Sequence, residues 1–359
     1  MQNTFLTMLI ATFSVFALDA NADWNPQAYN AIKWTAPNQG RNTIAYTTSV
    51  GITRVPIAYH GGVDTNASGE ITEQNISHFK QWVLERLPSG YCGPVVLDYE
   101  QPWWQTLGSK TITHEALQEI ISVYGESMQI AKNTLPDAQW GFWGLPLLRN
   151  TGEKWKAQGV SLDPLLKQCN GLYPDIYDSN RGKDTSARAQ RHIESVLKSA
   201  AGQIPVYVFV SPRFTGEGKD HSYFIPDDVF LRHVNGAMKA AWTDATGQVH
   251  KIQGIILWDA YGYTPEAGWD ELDTKHAYYF QLMQALVEAW AKSMVGVSVE
   301  TNVVHLPSCK YALPEPKNSE TAIDDTPLQH SSQNNFQNRE RSNLESERIP
   351  TGRIPSGRE

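Results

Sequence analysis

Apolar positions recur along this chain in two rhythms. Short apolar runs, rich in β-branched residues and bounded by Gly or Pro, predict buried strands. Longer stretches with apolar residues three and four apart predict amphipathic helices. The clearest run is Gly93-Pro94-Val95-Val96-Leu97-Asp98-Tyr99-Glu100. Further strands are expected over residues 31–34, 55–59, 139–146, 171–177, 205–210 and 253–259. The second of these ends in His60-Gly61-Gly62, which reads as a turn. Helices are expected over 72–87, 113–135, 162–168, 185–201, 226–243 and 274–293. Thr72 and Thr113 are suited to cap two of them, and Pro88-Ser89-Gly90 stops the first. In the second, Leu117, Ile120, Ile121, Tyr124, Met128 and Ala131 line one face.

Strand and helix alternate at least five times with no all-β block, the pattern of a parallel α/β architecture. A (β/α) TIM-type barrel over 23–305 fits that length. A doubly wound sheet would carry a glycine-rich phosphate turn after its first strand, and none is present. Residues 1–22 read as a secretory signal: an apolar stretch from Phe5 to Leu18 precedes Ala20-Asn21-Ala22, a small-x-small cleavage pattern. That predicts a secreted or periplasmic protein with no membrane span after cleavage. Beyond residue 306, Ser, Asn, Gln, Glu, Arg and Pro dominate, which predicts a polar, disordered tail over 306–359.

Composition narrows the function. A net charge of −8 argues against nucleic acid as partner and gives no general help in binding an acidic polymer. Twelve Trp and fifteen Tyr are many for 359 residues, and flat aromatic faces suit carbohydrate. Three cysteines, Cys92, Cys169 and Cys309, allow one disulfide with one thiol left over. No ligand spacing argues for a metal, and no cofactor motif is present. A monomer is expected.

The chemistry concentrates where the apolar run ends. Side chains on a strand alternate faces, so Asp98 and Glu100 point one way and Tyr99 the other. Two acids on one face at the C-terminal end of a buried strand are costly unless compensated, and that end is where catalytic groups collect in parallel barrels. Trp103 and Trp104 follow directly and are candidate sugar platforms. Tyr99, Trp143, Tyr207 and Trp258 are further candidate substrate contacts, and Asp259 is a second acid near the cleft or a helix cap.

Five blocks, taken in order, resemble the hyaluronidase family of glycoside hydrolases. They are Val96-Leu97-Asp98-Tyr99-Glu100, Trp140-Gly141-Phe142-Trp143-Gly144-Leu145-Pro146, Leu172-Tyr173-Pro174-Asp175-Ile176-Tyr177, Pro205-Val206-Tyr207-Val208 and Gly254-Ile255-Ile256-Leu257-Trp258. The resemblance covers roughly residues 45–260. It implies a distorted barrel cleaving a polysaccharide beside N-acetylhexosamine, with the substrate's acetamido group as nucleophile. Glu100 would be the acid and base, Asp98 would orient the acetamido group, Tyr173 would donate a hydroxyl to it, and Trp258 would wall the sugar pocket. Phe142 or Trp143 stands where the family places another aromatic, often a tyrosine. The family's usual disulfides and cysteine-rich C-terminal module have no counterpart in this sequence. Two other readings stay open: a non-catalytic carbohydrate-binding barrel, and a retaining glycosidase with a protein nucleophile such as Asp259.

Overall fold

The architecture was determined as a computed structural model, which describes residues 24–100, 102–103, 112–146, 162–178, 185–215 and 222–293. The strands are β1 (Gln27–Asn30), β2 (Thr53–Arg54), β3 (Ile57–Ala58), β4 (Pro94–Leu97), β5 (Gln139–Phe142), β6 (Tyr207–Val210), β7 (Trp242–Thr243), β8 (Val249–His250) and β9 (Gly254–Leu257). The helices are α1 (Arg41–Ser49), α2 (Glu73–Arg86), α3 (His114–Thr134), α4 (Asp163–Leu166), α5 (Ser186–Ala200), α6 (Asp227–Lys239) and α7 (Trp269–Ser293). The signal and tail expected from the sequence lie outside the described residues.

The strands other than β7 and β8 form a ring. One sheet runs β2-β1-β9-β6 and another β3-β4-β5, all parallel. Residues 53–58 join the two on one side: Tyr29 pairs with Thr53, and Ile57 with Val96. Parallel bridges Trp143–Tyr173, Leu172–Val206 and Asp175–Phe209 join β5 to β6 on the other. The two irregular staves are the ones with a proline inside, Pro56 and Pro174. A proline has no N–H to give to a ladder, so regular pairing breaks there while the carbonyls still accept, from Val96 and Phe209 respectively. This is the (β/α) barrel that the alternation predicts, with the distortion that the resemblance implies.

Side-chain parity sorts the core into two layers. Ala31, Val55, Ile57, Val96, Phe209 and Ile256 fill the barrel interior with Tyr173 and Tyr207. Their neighbours one position away, among them Val95, Leu97, Val208, Val210, Ile255 and Leu257, pack outward under the helices. Helix α3 buries Leu117, Ile120, Tyr124, Met128 and Ala131, the face its spacing predicts. Thr72 and Asn75 form a reciprocal cap at the start of α2, an arrangement worth about 1 kcal/mol. Thr113 accepts from the Ala116 amide at the start of α3.

Three elements differ from expectation. The first strand is Gln27–Asn30, with only a bridge at Lys33, rather than 31–34. Helix α1 has no apolar stripe: its buried positions are Thr43 and Thr47, and it is fastened by Asp273 of α7, whose carboxylate accepts from the Asn42 and Thr43 amides and the Thr43 hydroxyl. The helix expected over 226–243 ends at Lys239, and Trp242–Thr243 is the first strand of the hairpin β7–β8. Cys92 is in a disulfide and Cys169 is a buried free thiol, so the single pairing the sequence allows does not use Cys169.

Candidate active site

The barrel mouth is built by the inward position next above the core on each stave. Strand β4 places Val96 inside and carries Asp98 and Glu100 on the same face, while Tyr99 turns outward. The turn beside them, His60-Gly61-Gly62, has three consecutive residues at positive φ. A Cβ on Gly61 would meet the Asp64 carbonyl at 2.0 Å, so the close approach there requires glycine. The Gly61 amide in turn donates to the Asp98 carbonyl.

Electrostatics separate the two acids. Burial pushes the Glu100 carboxyl up to about 8, reinforced by the charges of Asp98 and Asp175 and by a hydrogen bond with Asp98. Burial also raises Asp98, to about 6, but the Lys33 charge and the same hydrogen bond with Glu100 hold it down. The Lys33 ammonium lies 3.9 Å from the centre of the Tyr59 ring. Glu100 is thus raised further than Asp98, which favours the proton on Glu100 and the charge on Asp98. That is the division of labour a general acid and a charge-stabilising partner need.

An aromatic wall faces the pair. Trp258 stacks on Tyr177, with ring centroids 5.7 Å apart and planes at 22°. Its indole N–H donates to the Tyr59 hydroxyl at 3.2 Å. Trp143 lies 5.9 Å from Tyr177 on the other side. The Tyr177 hydroxyl is enclosed without a well-formed hydrogen bond, Trp143 giving it a favourable contact. Burial, with Asp175 and Asp98 nearby, pushes its pKa well up, so it stays a donor.

Four candidates from the sequence sit elsewhere. Tyr173 points into the barrel, but its hydroxyl donates to the Gln139 carbonyl and accepts from the Val95 amide, near the starts of β5 and β4. It belongs to the barrel floor, as does Tyr207, whose hydroxyl donates to the Gln139 side chain. Tyr99 faces the helices: its ring stacks on Tyr124 at 5.0 Å, and its hydroxyl donates to Asp64 at 2.7 Å. Asp259 is buried on the outer side of its strand. It accepts from Arg213 through both oxygens, from the Ala260 amide at 2.7 Å, and pairs with His276 at 2.8 Å. Burial opposes its charge, but His276 and Arg213 overcome it and hold the carboxyl below its ordinary range. Its oxygens are occupied, which removes it as a nucleophile.

Trp103 is partly buried over the loop that follows β3, with its ring against Gly69 and its N–H 3.3 Å from the Tyr99 hydroxyl. Trp104 lies outside the described residues. Trp143 and Trp258 follow the C-terminal ends of β5 and β9 and flank Tyr177. Reasoning from sequence missed Lys33, Tyr59, Asp175 and Tyr177. The period-two rule would have found the last two from Tyr173, since residues 173, 175 and 177 share a face. No group of three or more His, Cys, Asp or Glu among the described residues is arranged to hold a metal ion. No helix among them is long and apolar enough to cross a membrane.

The ring of parallel staves and the acids at its mouth define a barrel with a cleft suited to acid–base work. No protein-family model matches the chain, and no curated protein does. Among solved structures, bee venom hyaluronidase superposes with a TM-score of 0.49 at 14% identity, over 73% of this chain and 99% of that one. The same enzyme in complex with a hyaluronic acid tetramer gives 0.47 at 12%, over 75% and 99%. A thermostable mutant of a xylanase from Cellvibrio japonicus gives 0.39 at 11%, again over 75% and 99%.

Proposed function

We propose that the protein is a glycoside hydrolase resembling hyaluronidases, secreted or periplasmic, that cleaves a polysaccharide beside N-acetylhexosamine with retention. The observation that carries this reading is the hydrogen-bonded Asp98–Glu100 pair on one face at the end of β4, where burial raises Glu100 further than Asp98. In the first step Glu100 gives its proton to the glycosidic oxygen as the C1–O bond breaks. The acetamido carbonyl oxygen of the same sugar closes on C1. Asp98 accepts a hydrogen bond from the acetamido N–H and balances the positive charge that develops there. In the second step the Glu100 carboxylate takes a proton from water, whose oxygen attacks C1 and reopens the ring. Two inversions at C1 give net retention. Tyr177, whose ring stacks on Trp258 at the barrel mouth, takes the role of hydroxyl donor to the acetamido group in this reading in place of Tyr173, and Trp258 packs against the sugar.

Lys33, beside Asp98, keeps that carboxylate ionised while its neighbour is protonated. A buried carboxylate pair with no cation near it would tend to hold two protons and lose the charge the second role needs. The reading is tested by reducing-end release from hyaluronan, chondroitin and chitin oligosaccharides, with Glu100→Gln alongside. Activity on one polymer, reduced about 10²–10⁴-fold in the variant, is the expected result. Activity that survives the substitution overturns the role of Glu100. Binding without turnover, unchanged in the variant, would make the protein a carbohydrate-binding barrel.

A further inference from the structure

Beyond the enclosed part of the aromatic wall, one ring is about half exposed. Tyr263 is 55% exposed, one of only four large apolar or aromatic side chains so exposed among the described residues. It stands edge-on to Trp258, with centroids 6.4 Å apart and planes at 66°. The wall thus continues from Trp143 and Tyr177 through Trp258 to an open ring at the surface. The phenol is close enough to the acid pair that, after burial, Glu100, Asp259 and Asp98 are what raise its pKa.

The loop that carries it is held from below with unusual thoroughness. Arg213 donates to Asp259, to the Ala260 carbonyl at 2.8 Å and to the Thr264 hydroxyl at 2.9 Å. The Trp269 indole donates to the Thr264 carbonyl at 3.0 Å, and the Tyr261 hydroxyl accepts from the Gly40 amide at 3.1 Å. The Arg213 guanidinium lies 6.0 Å from the centre of the Tyr263 ring. Residues 260–264 are therefore fixed at both ends, and a one-turn 3-10 helix, Tyr261–Tyr263, turns one tyrosine in and the other out. A rigid loop offering an exposed flat ring in line with a cleft is preorganised to bind, because little freedom remains to be lost.

We propose that Tyr263 is the platform of an additional sugar subsite, stacking the apolar face of a pyranose ring further along the saccharide chain from the bond that is cut. This deepens the glycoside hydrolase reading and rests on it. An exposed aromatic ring covered on one face by an apolar group is the economical way to hold a repeating polymer, since the contact is tolerant of which hydroxyls the sugar carries. The subsite would make the protein prefer longer chains, and it would act on binding rather than on the chemical step.

The test is binding to Glu100→Gln, which holds saccharides without cutting them, followed by calorimetry with chitin and hyaluronan oligosaccharides from disaccharide to hexasaccharide. The proposal expects affinity to rise with length, and Tyr263→Ala to remove about tenfold from the longer chains while leaving the disaccharide alone. Tyr263→Trp and Tyr263→Phe are expected to keep the length preference, which an effect through the hydroxyl would not. Length-dependent binding that Tyr263→Ala leaves intact, or a loss equal at all lengths, overturns the subsite and spares the hydrolase reading. Failure of the parent to bind any saccharide of either kind overturns both.

Discussion

Tyr173 and Tyr177 lie on one face of one stave, four residues apart, yet they belong to different ends of the barrel. The Tyr173 hydroxyl is fastened to the Val95 amide and the Gln139 carbonyl at the floor. The Tyr177 hydroxyl is enclosed at the mouth, its ring stacked on Trp258 and near Trp143. The two tyrosines should therefore fail in opposite ways. Tyr173→Phe leaves a buried amide and carbonyl without their partner and is expected to cost about 1–3 kcal/mol of stability in urea denaturation, with kcat little changed. Tyr177→Phe is expected to leave the denaturation midpoint nearly where it was and to lower kcat. The reverse pattern would return the substrate-facing role to Tyr173.

The acid pair sets a pH profile. The proposed reaction needs Asp98 ionised and Glu100 protonated. Activity should rise with pH through about 6, where Asp98 loses its proton, and fall through about 8, where Glu100 loses its own. The two limbs belong to the coupled pair. Asp175 contributes to the upper one, because its charge disfavours a second charge on Glu100. Asp175→Asn removes that charge, so the falling limb of kcat/KM should move to lower pH while the rising limb stays nearly in place. A falling limb that does not move, or moves up, would take Asp175 out of the electrostatics of the acid.

Asp259 supports the mouth from outside the barrel. It lies between Arg213 and His276, both buried with it. Substituting it by Asn leaves the Arg213 charge enclosed without its partner, which costs about 3–5 kcal/mol. Thermal and urea denaturation should show a loss of that order. Trapping a sugar on Asp259 with a mechanism-based glycosyl fluoride, detected as a mass increase on the peptide that contains it, would overturn its assignment to the support of the loop.

Much of the site was legible from local periodicity. The spacing of Asp98 and Glu100, with Val96 below them, placed both on the inner face of a buried strand, and the structure puts them there because a strand's faces alternate whatever surrounds it. The face of α3 and the caps at Thr72 and Thr113 were equally local. Helix α1 was not legible, because Thr43 and Thr47 rather than apolar residues make its buried face, and what holds it is Asp273, some 230 residues away in sequence.

The sequence by itself determined the alternation of strands and helices, the parity that turns the acids inward, and the aromatic supply around them. Only the tertiary structure decided how high in the barrel each inward side chain stands. That height follows from the stagger between neighbouring staves, which hydrogen bonds among β4, β5 and residues 172–175 set and no single segment encodes. It is why Tyr173 and Tyr207 lie at the floor, why Tyr177 stacks on Trp258 at the mouth, and why Asp259, one residue beyond Trp258, faces a buried arginine instead of the cleft.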